Sequence, residues 1–274
     1  MTELHVIILL ATGVVVGFAS GLLGVGGAFI MAPVQYLVFL DMGIAADLAI
    51  KLTFGTNLLV ILFTAASGAW RHSARGVVWW RVAIIMGIPG AISAFLAAIL
   101  ATRMPGKSLE ITFGVIVLLG GIRMLFFASQ GAGQAARDNP WLWFAWAIPI
   151  GLAAGFTGIG GGVLAIPVMM IVFKFKMHEA VGTSLGVIIF TSVGGIAGYI
   201  LGGWNVSGLP PASIGYVNLL SWLLLAVSSI GMAQVGALTA HKLPAKQLRY
   251  IFIVLMFFVG FKMLGVFDLL GVPI

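Results

Sequence analysis

The sequence contains no cysteine, which excludes disulfides, thiolate metal sites and cysteine nucleophiles. Charge is nearly as scarce. The chain has 14 Lys+Arg and 7 Asp+Glu in 274 residues, or 8% charged, against roughly a quarter in an ordinary soluble domain. A 28.7 kDa globule with so little polar surface would not stay in water. No loop is long enough for a separate soluble domain, since the longest linker, Ser129 to Asn139, carries only Arg137 and Asp138 as charges. The first apolar stretch has no positive region before it and is longer than a signal core, so a cleaved signal peptide is not expected. What is present is 61% hydrophobic residues with a mean hydropathy of +1.18, recurring in blocks able to cross a hydrocarbon layer of about 30 Å. The expected class is an all-α, polytopic integral membrane protein in one membrane domain, with the lipid bilayer as its solvent.

The formal net charge of +7 does not imply nucleic acid, because the basic residues form no stripe beside aromatic platforms. They punctuate the apolar blocks, as cytoplasmic loop charges do. Carboxylates are absent from every apolar centre: Glu3, Asp41, Asp47, Glu110, Asp138, Glu179 and Asp268 all fall in loops or at segment ends. Cation pathways and proton relays ordinarily need an acid at the midplane, so an anion fits better. No paired carboxylates suit acid–base catalysis, and the four His residues have no metal-ligand spacing. An enzyme, a metal and a cofactor are therefore not expected.

Apolar stretches run at 4–23, 25–40, 44–68, 82–101 and 109–128, then at 141–158, 160–173, 180–202, 215–240 and 250–268. Five are followed by five, and the copies align. At an offset of 134, Gly17, Ala19, Gly21, Gly24, Gly26, Gly27, Pro33 and Val34 recur as Gly151, Ala153, Gly155, Gly158, Gly160, Gly161, Pro167 and Val168. At an offset of 127, Gly55, Thr56, Leu58 and Ile61 meet Gly182, Thr183, Leu185 and Ile188; at 139, Pro105, Lys107, Phe113 and Gly121 meet Pro244, Lys246, Phe252 and Gly260. The chain reads as a duplication: residues 1–128, a linker at 129–140, and residues 141–274.

Loop charge suggests that the copies are inverted. Asp41 and Asp47 follow the second segment of the first half, where the second half has Lys174, Lys176 and His178. Arg71, His72, Arg75 and Arg81 lie between the third and fourth segments, and the matching loop, Gly203 to Ser213, is uncharged. The next loop dissents, with Arg103 and Lys107 facing Lys242, Lys246 and Arg249. Two loops of three support inverted repeats with the N-terminus outside.

Gly24, Gly26 and Gly27 before Pro33, and Gly158, Gly160, Gly161 and Gly162 before Pro167, separate stretches too short to be comfortable spans. Glycine weakens a helix and proline removes a donor, so broken or re-entrant helices are expected, with Pro33 and Pro167 as hinges. Unwound backbone at membrane depth survives only buried in protein or lining a wet cavity. The functional reading makes these segments an anion site of free N–H groups and half-helix N-termini. The packing reading makes the glycines close-contact points between helices. The first segment is no dinucleotide fingerprint, since Phe29 occupies the third glycine position, and Gly106-Lys107-Ser108 lacks the first glycine of a P-loop.

The third segments add polarity. Thr53, Thr56, Asn57, Thr64 and Ser67 share about 100° of one helix face, and Thr183, Ser184 and Thr191 do likewise. These faces either hydrate a solute or bond to neighbouring helices. Lys51, in an apolar setting, is a candidate counter-charge for the anion or a snorkelling anchor beside Asp47; its counterpart His178 is a candidate pH or proton sensor.

The segments Gly21-Leu-Leu-Gly-Val-Gly-Gly-Ala-Phe-Ile-Met-Ala-Pro33 and Gly155-Phe-Thr-Gly-Ile-Gly-Gly-Gly-Val-Leu-Ala-Ile-Pro167, with His178-Glu-Ala-Val-Gly-Thr-Ser-Leu185, resemble the TauE/SafE sulfite exporter family of bacterial membrane permeases. The resemblance covers about Gly13 to Leu264. It implies transport, by export, of sulfite or a small organosulfonate such as sulfoacetate across the cell inner membrane. The substrate-binding expectation is Gly24, Gly26, Gly27, Lys51, Thr56, Asn57, Gly158, Gly160, Gly161, Gly162, Thr183 and Ser184, at the interface of the two repeats. A homo-oligomer is compatible with this reading, and an anion channel or a membrane-embedded subunit are its rivals.

Overall fold

The computed structural model describes residues 1–24, 26–126, 137–240 and 245–266. Ten helices occur among them: α1 (Glu3–Leu23), α2 (Ala28–Asp41), α3 (Ala46–Ser73), α4 (Trp80–Arg103), α5 (Gly106–Phe126), α6 (Pro140–Thr157), α7 (Gly162–Ile171), α8 (Met177–Gly202), α9 (Leu219–Thr239) and α10 (Ala245–Met263). A two-residue hairpin, β1 (Ser213–Ile214) with β2 (Val217–Asn218), precedes α9. Helices α1, α3, α4, α6, α8 and α9 are long and apolar enough to cross a membrane, whereas α2 and α7 have 14 and 10 residues. At 1.5 Å per residue, those two reach about 21 and 15 Å, short of the hydrocarbon thickness.

Directions follow from which residues touch. Along α1, Gly13, Gly17 and Gly21 lie against Leu225, Ser229 and Ala233 of α9, so these helices are parallel. Gly151 and Gly155 of α6 lie against Gly90 and Ala94 of α4, again in parallel. Gly194, Gly198 and Gly202 of α8 ascend with Ala91, Phe95 and Thr102 of α4. Thr56, Thr64 and Ser67 of α3 bond to Asn218, Ser229 and Ile230, so α3 runs with α9. Between α3 and α8 the order reverses: Gly55 meets Tyr199, Gly195 meets Leu58, Gly68 meets Leu185 and Gly182 meets His72. Helices α1, α3 and α9 therefore point one way, and their counterparts α6, α8 and α4 the other. The repeats are inverted.

The same contacts carry the pseudo-two-fold. Gly68 on Leu185 becomes Gly195 on Leu58 when 127 is added to one residue and subtracted from the other, and Gly55 on Tyr199 becomes Gly182 on His72. With no net hydrophobic force between helices in lipid, such small-residue contacts let backbones approach closely enough for dispersion to hold the bundle. Opposite the glycine face of α4, Ile84, Ile88, Ile92, Leu96 and Leu100 form an exposed stripe at four-residue spacing, suited to acyl chains. Exposed Trp70 and Trp141 near one end of the bundle and Trp204 near the other suit the two interfaces.

Charge is distributed unequally between the ends. The end with the α3–α4 and α7–α8 turns holds Arg71, Arg75, Arg81, Arg137, Lys174 and Lys176 against Asp138 and Glu179 among the described residues. The other end holds Lys51, Arg103, Lys107 and Lys262 against Glu3, Asp41, Asp47 and Glu110. The side chains of Arg123, Lys246 and Arg249, the linker residues 127–136, residues 241–244 and Asp268 lie outside the described residues.

Candidate functional site

Each repeat begins with a helical hairpin. In the first, α1 ends at Gly24 (φ 69°), the chain reverses through Gly26 and Gly27 (φ 82° and 68°), and α2 returns beside α1. In the second, Gly158, Gly160 and Gly161 take φ of 65°, 75° and 82°. All six are in the left-handed region that a side chain disfavours. The open ends of the hairpins are tied: His5 Nδ1 accepts from the Thr2 amide while Nε2 donates to Asp41 at 2.8 Å, and the Arg137 amide donates to the Phe173 carbonyl at 2.8 Å. Because the repeats are inverted, the hairpins enter from opposite ends. Their tips meet about halfway along α3 and α8, where Cβ positions built on Gly26 and Gly160 lie 3.0 and 3.3 Å from the Ile61 methyl Cγ2, and that on Gly160 lies 3.0 Å from Ile188.

Most tip glycines serve packing as well as turn geometry. A Cβ on Gly24 would lie 2.6 Å from the Val181 carbonyl oxygen, and one on Gly158 would lie 2.6 Å from the Phe54 Cα. Cβ atoms on Gly27 and Gly161 would meet the Val16 and Ile150 carbonyls at 2.6 and 2.9 Å. Each pair is one contact seen twice, since Phe54 corresponds to Val181 and Val16 to Ile150. Gly162 takes an ordinary helical φ at the start of α7, as Ala28 does in α2. Pro33 and Pro167 lie inside α2 and α7, which continue through them, so the breaks belong to the glycines.

The polar third helices divide. Thr56 and Thr183 accept from the amides of Asn218 and Trp79, the N-caps of α9 and α4, at 2.9 and 3.0 Å. Thr64 bonds Ser229 and Ser67 donates to the Ile230 carbonyl. These residues use their shared face for bonds to neighbouring elements, one of the two roles that the face allows. Ser184 and Thr191 instead reach the tips, donating to the Gly24 and Gly160 carbonyls at 2.8 Å. His72 and Tyr199, also counterparts, donate to the Gly21 and Gly155 carbonyls in the last turns of α1 and α6. Asn57, the counterpart of Ser184, is fully buried with both amide atoms unpartnered; Ser192, missing from the sequence expectation, is likewise buried and unpartnered. Its signal in the sequence was the spacing Ser184, Ile188, Ser192, which puts three residues on the tip-facing side of α8.

The charged candidates sit away from the tips. Lys51 Nζ pairs with Asp47 at 2.7 Å, and the other Asp47 oxygen accepts from the Gly106 amide that opens α5. A counter-charge already neutralised in this way offers little to an anion. His178 is exposed at the second position of α8. No group of three or more His, Cys, Asp or Glu able to hold a metal occurs among the described residues.

The family profile described as "Sulfite exporter TauE/SafE" matches residues 9–263. The chain belongs to the TauE/SafE family. Relatives within reach of it include a probable membrane transporter protein of Methanocaldococcus jannaschii, 28% identical over 243 residues that cover 88% of this chain and 89% of the relative. Another, from Haemophilus influenzae, is 24% identical over 258 residues, covering 94% and 97%. A third, from Xylella fastidiosa, is 32% identical over 190 residues, covering 68% and 70%. No solved structure matches. TauE/SafE proteins are membrane transporters, and this one is an integral membrane transporter rather than an enzyme.

Proposed function

We propose that this transporter carries sulfite or a small organosulfonate such as sulfoacetate out of the cell across the inner membrane, by way of the meeting hairpin tips. The observation that carries the reading is the opposition of the hairpins, which brings the N-terminal ends of α2 and α7 to mid-height from opposite sides. A helix N-terminus presents unpaired amides and about half a positive charge. Carboxylates that would repel an anion lie only near the two ends of the bundle among the described residues. By the tendency of Lys and Arg to stay inside, the end with Arg71, Arg75 and Arg81 is cytoplasmic and the N-terminus is outside.

The test is sulfite efflux from proteoliposomes holding the purified chain. The expected result is flux that saturates with sulfite and is competed by sulfoacetate. Flux that rises linearly without saturation would favour a channel. Flux no greater than that of empty vesicles would remove sulfite as the substrate.

A further inference from the structure

The glycines of the two tips take the same left-handed backbone, and their polar company differs. At the first, the Ser184 hydroxyl is committed to the Gly24 carbonyl, the position matching Ser192 is Ala65, and the unpartnered Ser20 hydroxyl lies a full turn before Gly24, on α1 itself. At the second, two buried polar side chains have no partner. Asn57 lies between Phe54, which Gly158 packs against, and Ile61, beside Gly160. The three residues fall within about 60° on α3, so Asn57 faces this tip. Ser192 Oγ lies 3.5 Å from where a Cβ on Gly160 would be, next to the N-cap Gly161 of the ten-residue α7. A buried amide or hydroxyl left unpaired destabilises the fold, a cost removed when a ligand supplies the partner.

Resting on the transport reading above, the structure assigns the anion site to the second tip alone: the Asn57 amide, the Ser192 hydroxyl and the first amides of α7 hold one small, singly charged oxyanion. The first tip is its structural partner and binds nothing. The charge state follows from the donors. The set contains neutral hydrogen-bonding groups and a helix end worth about half a charge, and the nearest lysine on α3, Lys51, is paired with Asp47. Such a set compensates one negative charge and not two, because a second would be desolvated without an opposite charge. Asn57 also offers an acceptor, Oδ1, which suits the proton of a hydrogen oxyanion. For sulfite the bound form is hydrogensulfite, and an organosulfonate satisfies the same charge rule.

Three variants separate this from a symmetric central site. Asn57→Leu removes an unpaired buried amide and keeps its branching and heavy-atom count, so the protein should melt at or above the wild-type temperature. Ser192→Ala installs the residue the other repeat already has, and Ala65→Ser is the mirror control. The readouts are calorimetric titration of detergent-purified protein with hydrogensulfite at acidic pH, with methanesulfonate and with sulfate, together with sulfite flux in vesicles. Asn57→Leu and Ser192→Ala should each weaken monoanion binding and raise KM about tenfold or more, Ala65→Ser should change neither, and sulfate should not bind. Equal effects of Ser192→Ala and Ala65→Ser, or tighter binding of sulfate than of methanesulfonate, would overturn the proposal. Wild-type flux with both site variants unaffected would overturn the site and leave transport standing. Methanesulfonate binding lost in both variants, in a protein that moves no sulfite, would uphold the site and overturn the sulfite reading. No binding and no flux would overturn both.

Discussion

The hairpins α1–α2 and α6–α7 are the same device built twice, and the differences between them say more than the likeness. Their six left-handed glycines, their contacts with Val181 or Phe54, and the donors to Gly21 or Gly155 correspond position by position. What differs is a handful of polar side chains: Ser184 against Asn57, Ala65 against Ser192, and His72 against Tyr199. Each tip has a carbonyl satisfied from α8, Gly24 by Ser184 and Gly160 by Thr191, but the second also keeps the Asn57 amide and the Ser192 hydroxyl buried and unsatisfied. The two halves share a frame and differ in the polar side chains set on it.

The largest effect should come from the shared frame. Gly24→Leu and Gly158→Leu force a side chain into neighbouring backbone and a left-handed φ, costing roughly 1–2 kcal/mol in conformation before any clash. Both should be lost from the membrane fraction or elute as aggregate, measured by size exclusion. Gly26→Ala bears the same left-handed φ cost but meets the Ile61 methyl at 3.0 Å and the Ile159 carbonyl oxygen at 3.4 Å rather than backbone at 2.6 Å, so it should fold with a melting temperature only a few degrees lower. Equal damage from all three would mean that the tips are not the tolerant end of the hairpins.

A crossed result is expected between counterparts. Ser184→Ala removes the bond to the Gly24 carbonyl and should cost about 1 kcal/mol, read as a lower melting temperature. Asn57→Leu should cost nothing thermally and abolish or greatly weaken flux. The reverse pattern would exchange the roles assigned to the two tips. Inversion itself can be checked by fusion of a reporter active only in the cytoplasm, which should be active after Gly76 and inactive after Gly208. Activity at both would require parallel repeats and contradict the helix directions. The smallest effect belongs to Lys51→Gln. The pair with a half-exposed Asp47 is worth no more than about 1 kcal/mol, and the Gly106 amide still holds Asp47, so flux should stay near wild type. A large loss at every pH would restore Lys51 as a counter-charge.

The frame was legible because backbone demands write themselves as glycine. Gly17, Gly21, Gly24, Gly26 and Gly27 recur in register because helix approach and left-handed turns tolerate little else. Inversion was legible from loop charge except where Arg103 and Lys107 dissent. Lys107 pairs with Glu110 at 3.1 Å and Asp47 lies against the start of the same helix, so a count of bases alone overstated that loop. The partners of polar side chains were not legible. Periodicity put Thr56, Thr64 and Ser67 on one face but could not say that α9 covers it. Ser192 escaped because Ala65 stands in the other copy, and a search for repeated polarity passes over what only one repeat has.

The most direct measurement of the central claim, that the meeting tips form the path of the anion, uses the absence of native cysteine. Ile61→Cys in otherwise unchanged protein places one thiol between Gly26 and Gly160. It would be alkylated with iodoacetate during turnover, washed, and assayed for sulfite flux in vesicles. The thioether should stop flux in proportion to its extent, and sulfite present during alkylation should slow the reaction. Complete alkylation with unchanged flux, or a thiol that never reacts in a protein that transports, would contradict that claim.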